Sequence, residues 1–155
     1  MPDLETTVRE LADRQAIADV IHAYCFHFDR NEPEAIAALF TDDATIDYGP
    51  EAERIQGAAA IAPTIAIGLA HTFAATSHHV SNIQITFAGP DRAESVSYLY
   101  AWHRYVDGSP DGELWGRYDH RFERTAGGWR IAGLRLTAAG AKDFHRATMH
   151  PTGRR

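Results

Sequence analysis

Asp29 stands in the stretch YCFHFDRNEP, behind a largely apolar run and near the end of a helical pattern. At the C-terminal end of a helix a carboxylate is opposed by the helix dipole and by dry surroundings, so an acid placed there calls for a partner. Arg30 is the ordinary surface candidate. A histidine brought in from another element is the chemically interesting one, because the carboxylate would hold the imidazole in one tautomer as a general base. The stretch TSHHVSNIQITF supplies two adjacent histidines, His78 and His79, at the start of a strand. Neighbouring strand side chains point to opposite faces, so only one of them can turn inward. His79 shares parity with Ile83, Ile85 and Phe87, which favours it for the apolar face, while His78 goes with Val80 and Asn82. A bulge near VSN would reverse that assignment.

The other candidates carry less. His22 and His27 lie on the first helix, His71 closes an apolar helix, and His145 and His150 fall near the C-terminus. Nine histidines invite a metal, but no HxH, HxxxH or HExxH spacing occurs, and His103 with His120 would lack a third ligand, so no metal site is expected. Cys25, the only cysteine, reads as a packed thiol. GxGxxG, GxxxxGK[ST] and GxSxG are all absent, which leaves dinucleotide, P-loop and serine-hydrolase readings without support.

Positioning these groups falls to two kinds of element. Apolar residues at Leu4, Val8, Leu11, Ile17, Val20, Ile21, Tyr24 and Phe28 predict one long amphipathic helix, ending near DRNEP because Asn31 tolerates a left-handed cap. A short helix, PEAIAALF, follows, then a strand TIDYG, then an Ala-rich helix expected to break or kink at Pro63. From Ser77 onward the period changes to two: four long segments separated by GPD, DGSPDG and AGG predict an antiparallel meander. Helices first and strands afterwards is the α+β order. The expected architecture is a cone, three N-terminal helices packed on a curved antiparallel β-sheet of four or five strands, with alternate strand residues lining a pocket. Ser95, Ser97, Leu99, Ala101, His103 and Tyr105 share one face, as do Leu114, Gly116, Tyr118, His120 and Phe122, and both sets are sent inward. The outward stripe Tyr98, Tyr100, Trp102 suggests burial by another subunit, giving a homo-oligomer, dimer or trimer; ordinary cross-strand packing is the alternative.

The 155 residues form one domain, expected over 1–140 with a C-terminal tail at 141–155, of which the closing MHPTGRR is expected to be mobile. Fifteen Lys and Arg against 21 Asp and Glu leave −6, scattered along the chain, which argues against nucleic-acid and anionic-membrane partners. The N-terminus, MPDLETTVRELADRQ, is charged where a secretion signal needs an apolar run, and no segment approaches the ~20 apolar residues of a membrane span. A cytoplasmic protein is expected.

With these residues assembled, the chain resembles the SnoaL-like branch of the NTF2-like superfamily, in the neighbourhood of scytalone dehydratase and hexachlorocyclohexane dehydrochlorinase. The likeness covers about residues 5 to 138 and rests on DRQAIADVIHAYCFHFDRNEPEAIAALFTDDATIDYG, on HHVSN leading into a strand, and on ERTAGGWRIAGLRL. It implies that His78, rather than His79, is the general base and that Asp29 orients it. It also implies that Tyr48 and His103 bind water and polarise a carbonyl, that Tyr118 lines the pocket, and that Tyr24 stands at a substrate-facing position. Departures exist: Tyr24 replaces a lysine and Leu134 an arginine of the dehydrochlorinase, with Arg135 on the opposite parity, and Phe28 replaces a tyrosine of scytalone dehydratase. Dehydrochlorination thus loses both cations that would help chloride leave. The function implied is that of a cofactor-independent lyase, dehydratase-like, or a ketosteroid-isomerase-like isomerase, acting on a small, mostly apolar, carbonyl- or hydroxyl-bearing ring compound. The alternatives are a non-catalytic binder of hydrophobic ligands and an assembly protein like the small subunit of ring-hydroxylating oxygenases.

Overall fold

Asp3 starts the first helix: its carboxylate accepts the Thr6 N–H at 2.8 Å, satisfying one of the donors a helix N-terminus leaves unpaired. The computed structural model describes Met1 and residues 3–153; Pro2, Arg154 and Arg155, the last two part of the expected tail, lie outside the described residues. Helix α1 (Leu4–Asp29) buries Ile17, Ile21, Tyr24 and Cys25. Its expected apolar face is only half used, since Leu4, Val8 and Leu11 are exposed. Asn31 takes the left-handed conformation (φ 56°), and Pro33 opens α2 (Pro33–Ala37), as the residue types predict. Helix α3 (Ala58–His71) is continuous through Pro63 instead of breaking there. Proline costs that helix one backbone bond, but Ile61, Ile65 and Leu69 are buried, and each such side chain contributes roughly 1.5–3 kcal/mol.

The strands are β1 (Phe40–Asp47), β2 (Ile55–Gln56), β3 (Phe73–Phe87), β4 (Arg92–Tyr105), β5 (Gly112–Thr125) and β6 (Gly128–Lys142). They form one curved sheet in the order β2-β1-β6-β5-β4-β3. The predicted meander β3 to β6 is present. The sheet is nevertheless mixed, because β1 returns beside β6 in parallel, Ile46 opposite Leu134, and it has six strands. Both faces assigned from parity on β4 and β5 turn inward: Ser97, Ala101, His103, Leu114, Tyr118, His120 and Phe122 are at most 4 % exposed.

Beyond β6 the chain runs back across the cone. The boundary expected at 140 falls inside β6, and the tail is packed on the domain. The Tyr105 hydroxyl donates to the Asp143 carbonyl at 3.1 Å and accepts the His145 N–H at 3.0 Å, while Glu51 accepts the N–H groups of Ala147 and Thr148. Gly112 makes room for that hydroxyl, which occupies the space a Cβ would need. Among the described residues no helix is long and apolar enough to cross a membrane.

Candidate active site

The last turn of α1 and the first half of β3 meet at Asp29. Its Oδ1 accepts the Thr76 hydroxyl at 2.8 Å and His78 Nδ1 at 2.6 Å, and its Oδ2 accepts the His78 backbone N–H at 2.8 Å. Arg30 turns away to Glu32. Burial pushes the Asp29 carboxyl up, but the hydrogen bonds and charge of His78, with help from Thr76, outweigh it and hold the group below the ordinary carboxylate range. The carboxylate is therefore ionised at neutral pH. With Nδ1 on Asp29, the His78 side chain is 6 % exposed and its Nε2 has no hydrogen-bond partner among the described residues.

A β-bulge selects His78. Ser81 lies opposite Tyr98 and Gln84 opposite Val96, so β3 spends three residues where β4 spends two. Asn82, in the left-handed region at φ 51°, takes up the extra one. His78 therefore faces inward opposite Ala101, and Ile85 faces inward opposite Ser95, despite their opposite parities. His79 is exposed, beside Ser77 and Tyr100.

Around His78 the cone narrows to a cavity of ≈ 60 Å³, room for about four waters at ~15 Å³ each. Its walls include Tyr24, Phe28, Tyr48, His103 and Tyr118, with an apolar floor of Leu99, Ala101, Leu114 and Leu136. Phe28 packs edge-on to His78 at 4.8 Å, and His103 lies 5.5 Å from it on the other side. Burial, then the neighbouring His78 and His145, pushes His103 down to about 3, so this ring is neutral; its Nδ1 is buried without a hydrogen bond. The Tyr24 and Tyr48 hydroxyls bond to each other, and Tyr118 stands edge-on to Tyr24 at 5.6 Å. Burial pushes Tyr48 up to about 12 and the other two phenols well above their ordinary value, which keeps all three protonated. Burial likewise pushes the Cys25 thiol up to about 12, as fits a packed cysteine.

All six residues singled out from the sequence, Asp29, His78, Tyr48, His103, Tyr118 and Tyr24, thus come together at one end of the cone. Of the remaining histidines, His27 pairs with Glu32, His150 with Asp47, and His22 and His71 are exposed. Besides Phe73 and Leu136 of the sheet, the wall residues not anticipated are Phe144, His145 and Arg146, from the segment after β6. An aromatic pair in KDFHRA, within an otherwise polar stretch, is the one signal that could have found them. Among the described residues no group of three or more His, Cys, Asp or Glu side chains is arranged to hold a metal ion.

Known proteins share this arrangement of elements. A crystal structure of a protein provisionally named as a scytalone dehydratase, from Novosphingobium aromaticivorans, is 34% identical, covers 96% of this chain and 99% of that one, and superposes with a TM-score of 0.89. Hexachlorocyclohexane dehydrochlorinase 1 of Sphingobium indicum is 24% identical over 136 residues, 86% of this chain and 84% of the relative. The crystal structure of a hexachlorocyclohexane dehydrochlorinase from Novosphingobium barchaimii, 17% identical with a TM-score of 0.81 over 94% of this chain and 99% of that one, shares the fold. The pattern of the SnoaL-like domain matches residues 9–135, most of the chain, and the protein belongs to that family.

Proposed function

We propose that the protein is a cofactor-independent lyase of the dehydratase type, or an isomerase sharing its first step, acting on a small, mostly apolar ring compound that carries a carbonyl or hydroxyl group. The observation that carries this reading is the 2.6 Å contact between His78 Nδ1 and Asp29 Oδ1 at the wall of an apolar cavity. Similarity to a dehydrochlorinase and to a provisionally named dehydratase, both names for eliminations, supports the lyase class. His78 Nε2 removes a proton from the carbon next to the substrate carbonyl, and Asp29 stabilises the imidazolium formed. The electron pair moves into an enolate, whose oxygen takes hydrogen bonds from the protonated Tyr48 and neutral His103. In a dehydration the β-hydroxyl then leaves with the proton returned by His78, as water; in an isomerisation the proton returns to carbon. A purely binding role would not need a carboxylate clamped by three donors onto an imidazole.

Solvent-deuterium exchange at the carbon next to the carbonyl of 2-tetralone, followed by NMR, tests the first step without knowledge of the substrate. His78→Ala and Asp29→Asn should each lower the exchange rate by about 10²- to 10⁴-fold with thermal unfolding unchanged or nearly so. Wild-type exchange in either folded variant would sink the dyad.

A further inference from the structure

The acid–base chemistry above leaves one cation of the cavity unused. Arg146 lines the cavity with Tyr24, Tyr48 and His78. Its Nη1 donates to the Tyr48 carbonyl at 3.1 Å, and the guanidinium carbon lies 5.8 Å from the centre of the Tyr48 ring. Among the described residues its Nε and Nη2 make no hydrogen bond and no carboxylate pairs with it; Glu51 spends its oxygens on the N–H groups of Ala147 and Thr148. Those bonds, with Tyr105 on the His145 N–H, hold the segment that carries Arg146. Burial pushes the guanidinium below its ordinary pKa, the mark of a cation kept from water. Glu51 acts on the guanidinium only through space, without bonding to it; a half-buried guanidinium with no carboxylate bonded to it is stabilised when an anion joins it, and its fork of donors matches a carboxylate oxygen pair. In the Tyr24–Tyr48 pair one hydroxyl donates to the other, which leaves the second proton free for a ligand.

We propose that Arg146 binds an anionic oxygen, so that the ring compound taken by this cavity carries a carboxylate or a phenolate besides the carbonyl polarised by Tyr48. The proposal names the substrate class of the site described above and rests on that site being where substrate binds.

Calorimetry on the full-length protein tests it with two pairs of ring compounds of matched shape, benzoate against benzamide and 4-nitrophenolate against nitrobenzene. The wild type should bind at least one anion tighter than its neutral partner by about tenfold or more, and the winning pair tells carboxylate from phenolate. Arg146→Gln should bring that ratio to near one while benzamide or nitrobenzene binding stays. A wild-type ratio near one for both pairs, or a ratio untouched by Arg146→Gln, overturns the proposal. If Arg146→Gln binds none of the four, Arg146→Met, which keeps the packing on Tyr48, is read the same way. Loss of anionic and neutral ligands alike in both variants would count against an anion site. Because the readout is binding, an anion preference would stand even if His78 proved to be no base, and lost exchange in His78→Ala would stand even if Arg146 bound no anion.

Discussion

Histidines in this cone differ by what touches them. His78 is held by a carboxylate, whereas His103 and His120 are buried among rings and aliphatic side chains with no acid bonded to them, and burial pushes each of them down to about 3. His120 is 2 % exposed, its Nδ1 lies 3.4 Å from the Ser95 hydroxyl, and its Nε2 has no partner. A histidine whose folded pKa lies below its unfolded value of 6.5 is bound to fewer protons in the folded state between the two values. Stability is then full above pH 6.5 and falls as the pH drops from there towards 3, by about 1.4 kcal/mol per pH unit for each such ring. Thermal unfolding of the wild type should accordingly shift to lower temperature between pH 7.5 and 5. In His120→Gln the dependence should be shallower by the share of one ring; an equal slope in the two proteins would show that His120 does not stay neutral.

At the scale of elements, β3 decides whether the cone has a base at all. Without the bulge at Asn82 the strand would bury either His78 and Val80 or Ile83, Ile85 and Phe87, and a one-residue slip exchanges the two sets. Asn82 is exposed and its backbone is in the left-handed region, so the demand there is on the backbone. A β-branched residue in the left-handed region costs about 1–2 kcal/mol, while glycine adopts it freely. Asn82→Val should therefore lower stability by about that amount and Asn82→Gly by clearly less, as read by denaturant unfolding; equal losses would remove the bulge from the explanation. Period-two patterning showed the faces of β4 and β5, where Ala101, His103, Tyr118 and Phe122 go inward as alternation requires. The same patterning misled at His79, because alternation holds no record of an inserted residue. It was equally silent on β1 lying parallel to β6, a pairing between segments some 90 residues apart that no local turn announces. Asp29 was legible from its cost at a helix end. Arg146 was not, since a charged residue in a polar stretch looks solvated until Tyr48, far away in the chain, is seen to receive it.

For the whole molecule the open question is what covers the outer face of the sheet. Val96, Tyr98 and Trp115 are 37 %, 43 % and 44 % exposed, and Tyr100 and Trp102 are half-buried beside them. Arg117 lies over the Tyr98 ring at 4.6 Å. Next to this stripe is a groove of ≈ 540 Å³ lined by Arg54, Arg121 and Arg135 as well as Asp47, Glu94 and Asp119. Aromatic residues and arginine are the side chains enriched at protein interfaces, and a face bearing both charge signs can meet a second copy of itself without leaving charges unmatched. We propose that the partner is another copy of this chain, in a dimer or trimer. Light scattering on the full chain should then give two or three times the monomer mass. Tyr98→Glu combined with Trp115→Glu, both on the outer face and away from the cavity, should shift that mass to the monomer, because each places an unpaired carboxylate in the contact. The fold of the subunit should survive, since neither side chain belongs to the core. A wild-type chain that is monomeric at every concentration measured would leave this face to water, and the aromatic stripe would then be ordinary cross-strand packing.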